Sequence, residues 1–270
     1  MIEVLVLSLL QGIAEFLPIS SSGHLVLGRE LLGLGDVGLR LDIFLHVGTL
    51  IAVFAFYSAI VLRLLKGLFS PLITEKVLAW TYAAKIVVSA IPAGLVGVLF
   101  KDQIESAFAE PRMVGFALLF TGVVLLATRF MPKGDRGVSF ARALLMGLAQ
   151  AVAILPGVSR SGMTLVAARA AKVDGEKAAE FSFLMSAPPI AGAALLEVIK
   201  ALKMSEAETF LRADVLQQEV SWGLCLVGAL VAAVVGYFAL KFLLVALKSD
   251  KFWLFGPYCL LAGLVTILVA

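Results

Sequence analysis

The sequence predicts an all-α integral membrane protein: six transmembrane helices plus two re-entrant helix pairs, arranged as an inverted-topology repeat. Three observations carry this. The 270 residues are 61% hydrophobic and only 15% charged, with a mean hydropathy of +1.04, beyond the range of soluble domains. Several apolar runs reach the ~20 residues a helix needs to cross a hydrocarbon core. Two further runs stop short at polar, glycine-containing breaks that resemble one another. A transmembrane barrel would show alternating segments of about 10 residues, whereas these runs are continuous.

Taken in order, residues 2–17 predict a helix that PISSSGH interrupts at 18–24, and the apolar piece after it ends near Leu34, too short to cross. Full spans follow at 42–64, 78–100 and 112–130. The pattern then restarts: an apolar run at 140–155, the break PGVSRSG, and about ten residues to Lys172. Three more spans occupy 178–199, 221–245 and 252–269. No Lys or Arg precedes Arg29, so the amino-terminal run reads as part of the mature fold and not as a cleaved signal. Cys225 and Cys259 lie in separate apolar runs and read as packing residues. A net charge of +3 gives no reason to expect nucleic acid as a partner.

The breaks align as FLPISSSGHLV and ILPGVSRSGMTLV, so that Ser20, Ser22 and Gly23 recur 139 positions later as Ser159, Ser161 and Gly162. One membrane domain, 1–270, built from duplicated halves 1–137 and 138–270, is the reading. Three crossings per half is odd, so the second half enters the membrane inverted. Unwound backbone at membrane depth is tolerated only where protein or water covers it, so both breaks face the interior. Charge agrees with this topology. Thirteen basic residues fall in the four connections on one side, around 63–76, 129–142, 169–177 and 241–251, against seven around 29–41, 101–112 and 200–219. The thirteen are expected in the cytoplasm, with the amino terminus outside. The breaks then enter from opposite faces and meet near the midplane.

A charge at that depth costs at least several kcal/mol, so Glu15, His24 and Arg160 each need a partner or a function. A structural Glu15–Arg160 pair is the plain alternative. The neighbours point further. Ser20, Ser22, Gly23, Gly157, Ser159, Ser161 and Gly162 surround two helix starts, where unpaired N–H groups and the dipole favour an anion. Arg160 adds a planar fork for phosphate oxygens, and Thr164 one turn later adds a hydroxyl. Gln11 and Glu15 share one helix face and Ser21 and His24 the next, so these four are expected to converge as acid, base and nucleophile. Glu15 near a phosphate must bind a divalent cation or take a proton, and either Ser21 or His24 suits attack on phosphorus. Lys85, His46 and Glu180 are also polar at membrane depth, and Pro92, Pro188 and Pro189 are expected to kink spans. On architecture alone, an inverted-repeat transporter or a flippase for a phosphorylated lipid or anion competes with an enzyme.

EFLPISSSGH and PGVSRSGMT resemble the two signature segments of the undecaprenyl-diphosphate phosphatases, the bacitracin-resistance type of bacterial membrane phosphatase, and the likeness extends over the whole chain. The resemblance implies hydrolysis of undecaprenyl diphosphate to the monophosphate carrier reused in cell-wall synthesis. It also implies a Mg2+ or Ca2+ cofactor and a periplasm-facing site in the bacterial inner membrane. By position it makes Glu15 the motif carboxylate, Ser21 the nucleophilic or substrate-binding serine and His24 the essential histidine. Ser159, Arg160 and Thr164 match the phosphate-binding residues. Gln11 departs from the pattern, standing where many members have glutamate, so Glu15 would hold a metal with only an amide beside it. Homodimer assembly is an expectation that the sequence leaves open.

Overall fold

The computed structural model describes residues 1–34, 39–203 and 220–270. Parts of the 29–41 and 200–219 connections therefore lie outside the described residues. Up to the midpoint the chain forms α1 (Ile2–Ala14), α2 (Ser21–Leu31), α3 (Leu39–Phe56), α4 (Ser58–Leu68), α5 (Ile73–Leu99), α6 (Lys101–Phe108) and α7 (Pro111–Ala127). Beyond it follow α8 (Phe140–Val152), α9 (Arg160–Ala170), α10 (Gly175–Leu184), α11 (Ala187–Lys203), α12 (Trp222–Lys248) and α13 (Phe255–Val269). No strand occurs among the described residues; an isolated bridge joins Arg136 to Val173.

Among the described residues four helices are long and apolar enough to cross a membrane: α5, α7 with its 3-10 extension to Phe130, α12, and α13 with the 3-10 turn from Phe252. A fifth crossing exists if the bent α3–α4 pair counts as one. The protein is therefore a multi-pass, all-helical membrane protein.

Two of the six expected spans are not continuous, which corrects the sequence reading. The 42–64 span breaks at Tyr57, and its two helices diverge by 81°. The 178–199 span breaks at Met185–Ser186. There Pro188 and Pro189 sit in the first turn of α11, where a missing N–H costs nothing, so they start a helix instead of kinking one. Pro92 does lie inside a helix, α5.

Apolar side chains gain little by leaving lipid for one another, so helix pairs are held by close backbone approach at small residues. The α7–α13 seam uses four glycines. A Cβ on Gly122 would lie 2.9 Å from the Gly256 carbonyl oxygen, and one on Gly256 would lie 2.9 Å from that of Gly122. Gly115 and Gly263 repeat the arrangement one layer away. Gly48 brings α3 against the Ala229 backbone of α12, and Gly147 brings α8 against Ser89 of α5. Larger groups fill the interior, with Phe16 and Phe183 edge to face at 5.4 Å. Outward faces such as Leu226, Leu230, Phe238 and Phe242 of α12 remain exposed for lipid.

Candidate active site

Both interrupted hairpins end in a serine that caps the next helix. Ser20 Oγ accepts from the Gly23 N–H at 3.3 Å, and Ser159 Oγ accepts from the Gly162 N–H at 3.1 Å. Each capping hydroxyl also lies 3.3 Å from the serine two residues on, Ser22 and Ser161 respectively. The caps touch. A Cβ on Gly23 would stand 3.0 Å from Gly157 Cα, one on Gly162 would stand 3.4 Å from Pro18 Cβ, and Ser161 Oγ donates to the Leu17 carbonyl at 3.2 Å. Gly157 is required here twice over: its φ is +93°, and a side chain would collide with the Val114 carbonyl. Thr121 of α7 ties the second break in place, donating to the Gly157 carbonyl at 3.0 Å and accepting from the Ser159 N–H at 3.1 Å. Ser20 holds φ at 70°, a strained value for a residue with a side chain, and so sets the direction in which α2 departs.

At this junction sits Glu15, only 5% exposed. One carboxylate oxygen, Oε1, accepts from Arg160 Nη2. The other, Oε2, accepts from Ser21 Oγ at 2.6 Å and from Gln11 Nε2 at 3.1 Å. His46 completes the ring: its Nδ1 donates to the Asp42 carbonyl at 2.7 Å, which leaves Nε2 facing Glu15 Oε2 at 3.7 Å. Two buried atoms beside the carboxylate, Arg160 Nη1 and Gln11 Oε1, have no hydrogen-bond partner among the described residues. The cluster opens on a cavity of about 570 Å³, within the usual range for a small-molecule site. Glu15, Ser20, Ser21, Ser22, His46 and Arg160 line its polar side. Small and apolar residues from α5 and α11, including Ala93, Gly94, Gly97 and Pro189, line it as well.

Gln11, Glu15, Ser21 and Arg160 are thus brought together, but the fourfold convergence expected for Gln11, Glu15, Ser21 and His24 does not occur. His24 Nδ1 donates back to the Ser20 carbonyl at 2.9 Å, which turns the ring towards α13, where Nε2 accepts from the Tyr258 hydroxyl at 2.7 Å. It faces a separate cavity between α2 and α13. Thr164 also departs from expectation. Its fully buried hydroxyl bonds the Arg160 carbonyl at 2.8 Å and Ser182 at 2.6 Å, tying α9 to α10 instead of facing the cavity. Gly23, Gly157, Ser159, Ser161 and Gly162 form the contact between the breaks and support the cavity from behind.

Of the remaining polar residues, His46 reaches the carboxylate, while Glu180 accepts from Tyr82 at 3.0 Å away from it. Lys85 lies over Phe140 at 5.8 Å in a different cleft, with Arg63 and Lys66. Sequence reasoning missed Gln150, a 5% exposed amide lining the cavity, and Thr121. The 139-residue repeat carried the signal for Gln150, since it occupies the position of Gln11. Among the described residues no group of three or more His, Cys, Asp or Glu is placed to hold a metal ion.

A cavity that presents an arginine, a carboxylate and hydroxyls together with apolar side chains, in a helical membrane protein, has the chemistry to receive an amphiphilic anion. The chain belongs to the family described as Bacitracin resistance protein BacA, which it matches over residues 4–265. It is 38% identical over 271 residues to the undecaprenyl-diphosphatase of Halothermothrix orenii, covering 99% of this chain and 97% of that one. It is 40% identical over 284 residues to the undecaprenyl-diphosphatase of Desulfatibacillum aliphaticivorans, covering 100% and 98%. The protein of that name from Methanosphaera stadtmanae is 34% identical over 288 residues, covering 100% and 98%.

Proposed function

We propose that this protein hydrolyses undecaprenyl diphosphate to undecaprenyl phosphate and phosphate, with Glu15, Ser21 and Arg160 as catalytic residues. The family membership supports the reaction. The observation that carries the assignment of roles is the 2.6 Å bond from Ser21 Oγ to Glu15, on a carboxylate that also accepts from Arg160. A hydroxyl bonded to a buried base is a nucleophile ready for activation. Glu15 takes the Ser21 proton as Oγ attacks the terminal phosphorus; the bond from that phosphorus to the bridging oxygen breaks, and the proton passes to the departing undecaprenyl phosphate. Water then attacks the phosphoserine, giving its proton through Glu15 to Ser21 Oγ and releasing phosphate. Arg160, with Nη1 still to be satisfied, binds the phosphoryl oxygens and stabilises their charge. Ser20 and Ser22 add hydroxyls at the cavity edge, and His24 acts through the Ser20 carbonyl it bonds.

Glu15 and the partnerless Gln11 Oε1 fit a hard divalent cation, Mg2+ or Ca2+, that takes its remaining oxygen ligands from a diphosphate and from water. Such an ion would neutralise charge on the substrate's phosphate oxygens.

The arrangement we infer is an inverted repeat of halves 1–137 and 138–270, each with a re-entrant pair and the equivalent of three crossings. The matched caps at Ser20 and Ser159 support it, as does the reciprocal packing of Gly23 on Gly157 and Gly162 on Pro18. Three of the basic connections gather at one end: Lys133 donates to the Lys248 carbonyl, Arg169 to that of Met131, and Arg136 bridges Val173. That end is assigned to the cytoplasm. The protein is assigned to the bacterial inner membrane, with the cavity opening on the periplasmic side.

The test is phosphate release from a prenyl diphosphate by purified protein in detergent. Release by wild type and its loss in Ser21→Ala and Arg160→Ala variants that remain folded is expected. Movement of intact substrate across sealed vesicles without free phosphate would contradict the reading and favour transport.

A further inference from the structure

Gln150 lines the cavity, yet its side chain is bonded to nothing among the described residues. It lies on α8, 5% exposed, and neither its Nε2 nor its Oε1 has a hydrogen-bond partner among the described residues. Burying an amide with both ends unsatisfied destabilises a fold. Ala90, Ala93, Ala153 and Ile154 line the cavity with it and offer no side-chain hydrogen-bond partner. The side chain lines the same cavity as Glu15, Ser21 and Arg160.

Its counterpart in the repeat explains how it became free. Gln11, 139 positions earlier, spends its Nε2 on the carboxylate four residues ahead, Glu15. Four residues ahead of Gln150 stands Ile154, which offers no acceptor. The same amide at the same place in a duplicated unit therefore holds the base in one half and has two N–H donors to spare in the other.

We propose that Gln150 is a substrate-binding residue: its amide donates to the diphosphate of the lipid substrate within the cavity it lines together with Arg160. An amide is suited to this task because it gives two hydrogen bonds to phosphate oxygens without adding a charge that would hold the product. The inference rests on the phosphatase reading for its kinetic assay, and a binding measurement makes it independent of turnover.

Gln150→Leu removes both polar atoms at similar volume. Since neither atom is satisfied by the protein, the variant is expected to melt at or above the wild-type temperature, while KM for a prenyl diphosphate rises about tenfold or more. Gln150→Glu places a carboxylate against the phosphates and is expected to raise KM further. Binding of a non-hydrolysable prenyl methylenediphosphonate is expected to weaken in parallel. A KM within twofold of wild type for Gln150→Leu would overturn the proposal, as would a melting temperature that falls together with activity, because the amide would then be bonded within the fold. If wild type released no phosphate, the hydrolytic reading would fail; diphosphonate binding would still decide the role of Gln150, with equal affinity in wild type and Gln150→Leu counting against it.

Discussion

The two interruptions share a scaffold and differ in cargo. Each has a capping serine, a second serine two residues on and a glycine at the third position of the helix, and each packs that glycine on the other break. Where the first carries Glu15 and Ser21, the second carries Ile154 and Arg160 at the matching positions. The two breaks therefore match in geometry and differ in sign: carboxylate and hydroxyl from one, a permanent cation from the other. A buried carboxylate and a largely buried guanidinium would each be costly alone, but each neutralises the other at the contact between the two breaks.

If that division of labour is right, the largest loss comes from the cation. Arg160→Ala should lower kcat/KM by about 10³- to 10⁵-fold, the range seen when a phosphoryl-transfer arginine is lost. Arg160→Lys should recover only part, because a point charge cannot span two oxygens as the fork does. On the other half, Glu15→Gln keeps the shape and removes the base, with a drop of about 10²- to 10⁴-fold in kcat expected in single-turnover phosphate release. His24 acts on the scaffold. His24→Ala frees the Ser20 carbonyl and should lower kcat by up to about 10²-fold through misplacement of Ser21, whereas Tyr258→Phe should change it by much less. The smallest effect is a gain: Gln11→Glu adds a second carboxylate beside Glu15 and should lower the Mg2+ concentration that restores activity after chelation.

Much of this was legible beforehand, for identifiable reasons. Composition and run length announce a membrane protein because lipid admits little else, and the breaks at Pro18 and Pro156 are audible because proline and glycine interrupt a helix locally. The bend at Tyr57 was not. No proline or glycine marks AFYSA; the break falls where Phe56 packs edge to face on both Tyr57 and Tyr237, a long-range contact. In the site, helical spacing placed Gln11 on Glu15. It failed for His24, because spacing gives the side of a helix but not which neighbour claims the ring, and a carbonyl one turn back with a tyrosine 234 residues away claimed it. Thr164 failed for the same reason, its hydroxyl going to its own backbone and to Ser182. Depth and a place in the first full span of its half, matched by Glu180 in the other, single out His46; its approach to Glu15 depends on how α3 packs on α1.

The most direct test is to quench the reaction early, using a prenyl diphosphate labelled in its terminal phosphate, and to map any label on the protein. Acid-stable label on Ser21 in wild type, absent from Ser21→Ala, is the predicted result. A Ser21→Ala protein that releases phosphate as fast as wild type, or wild-type turnover with no labelled protein at any time, would contradict it.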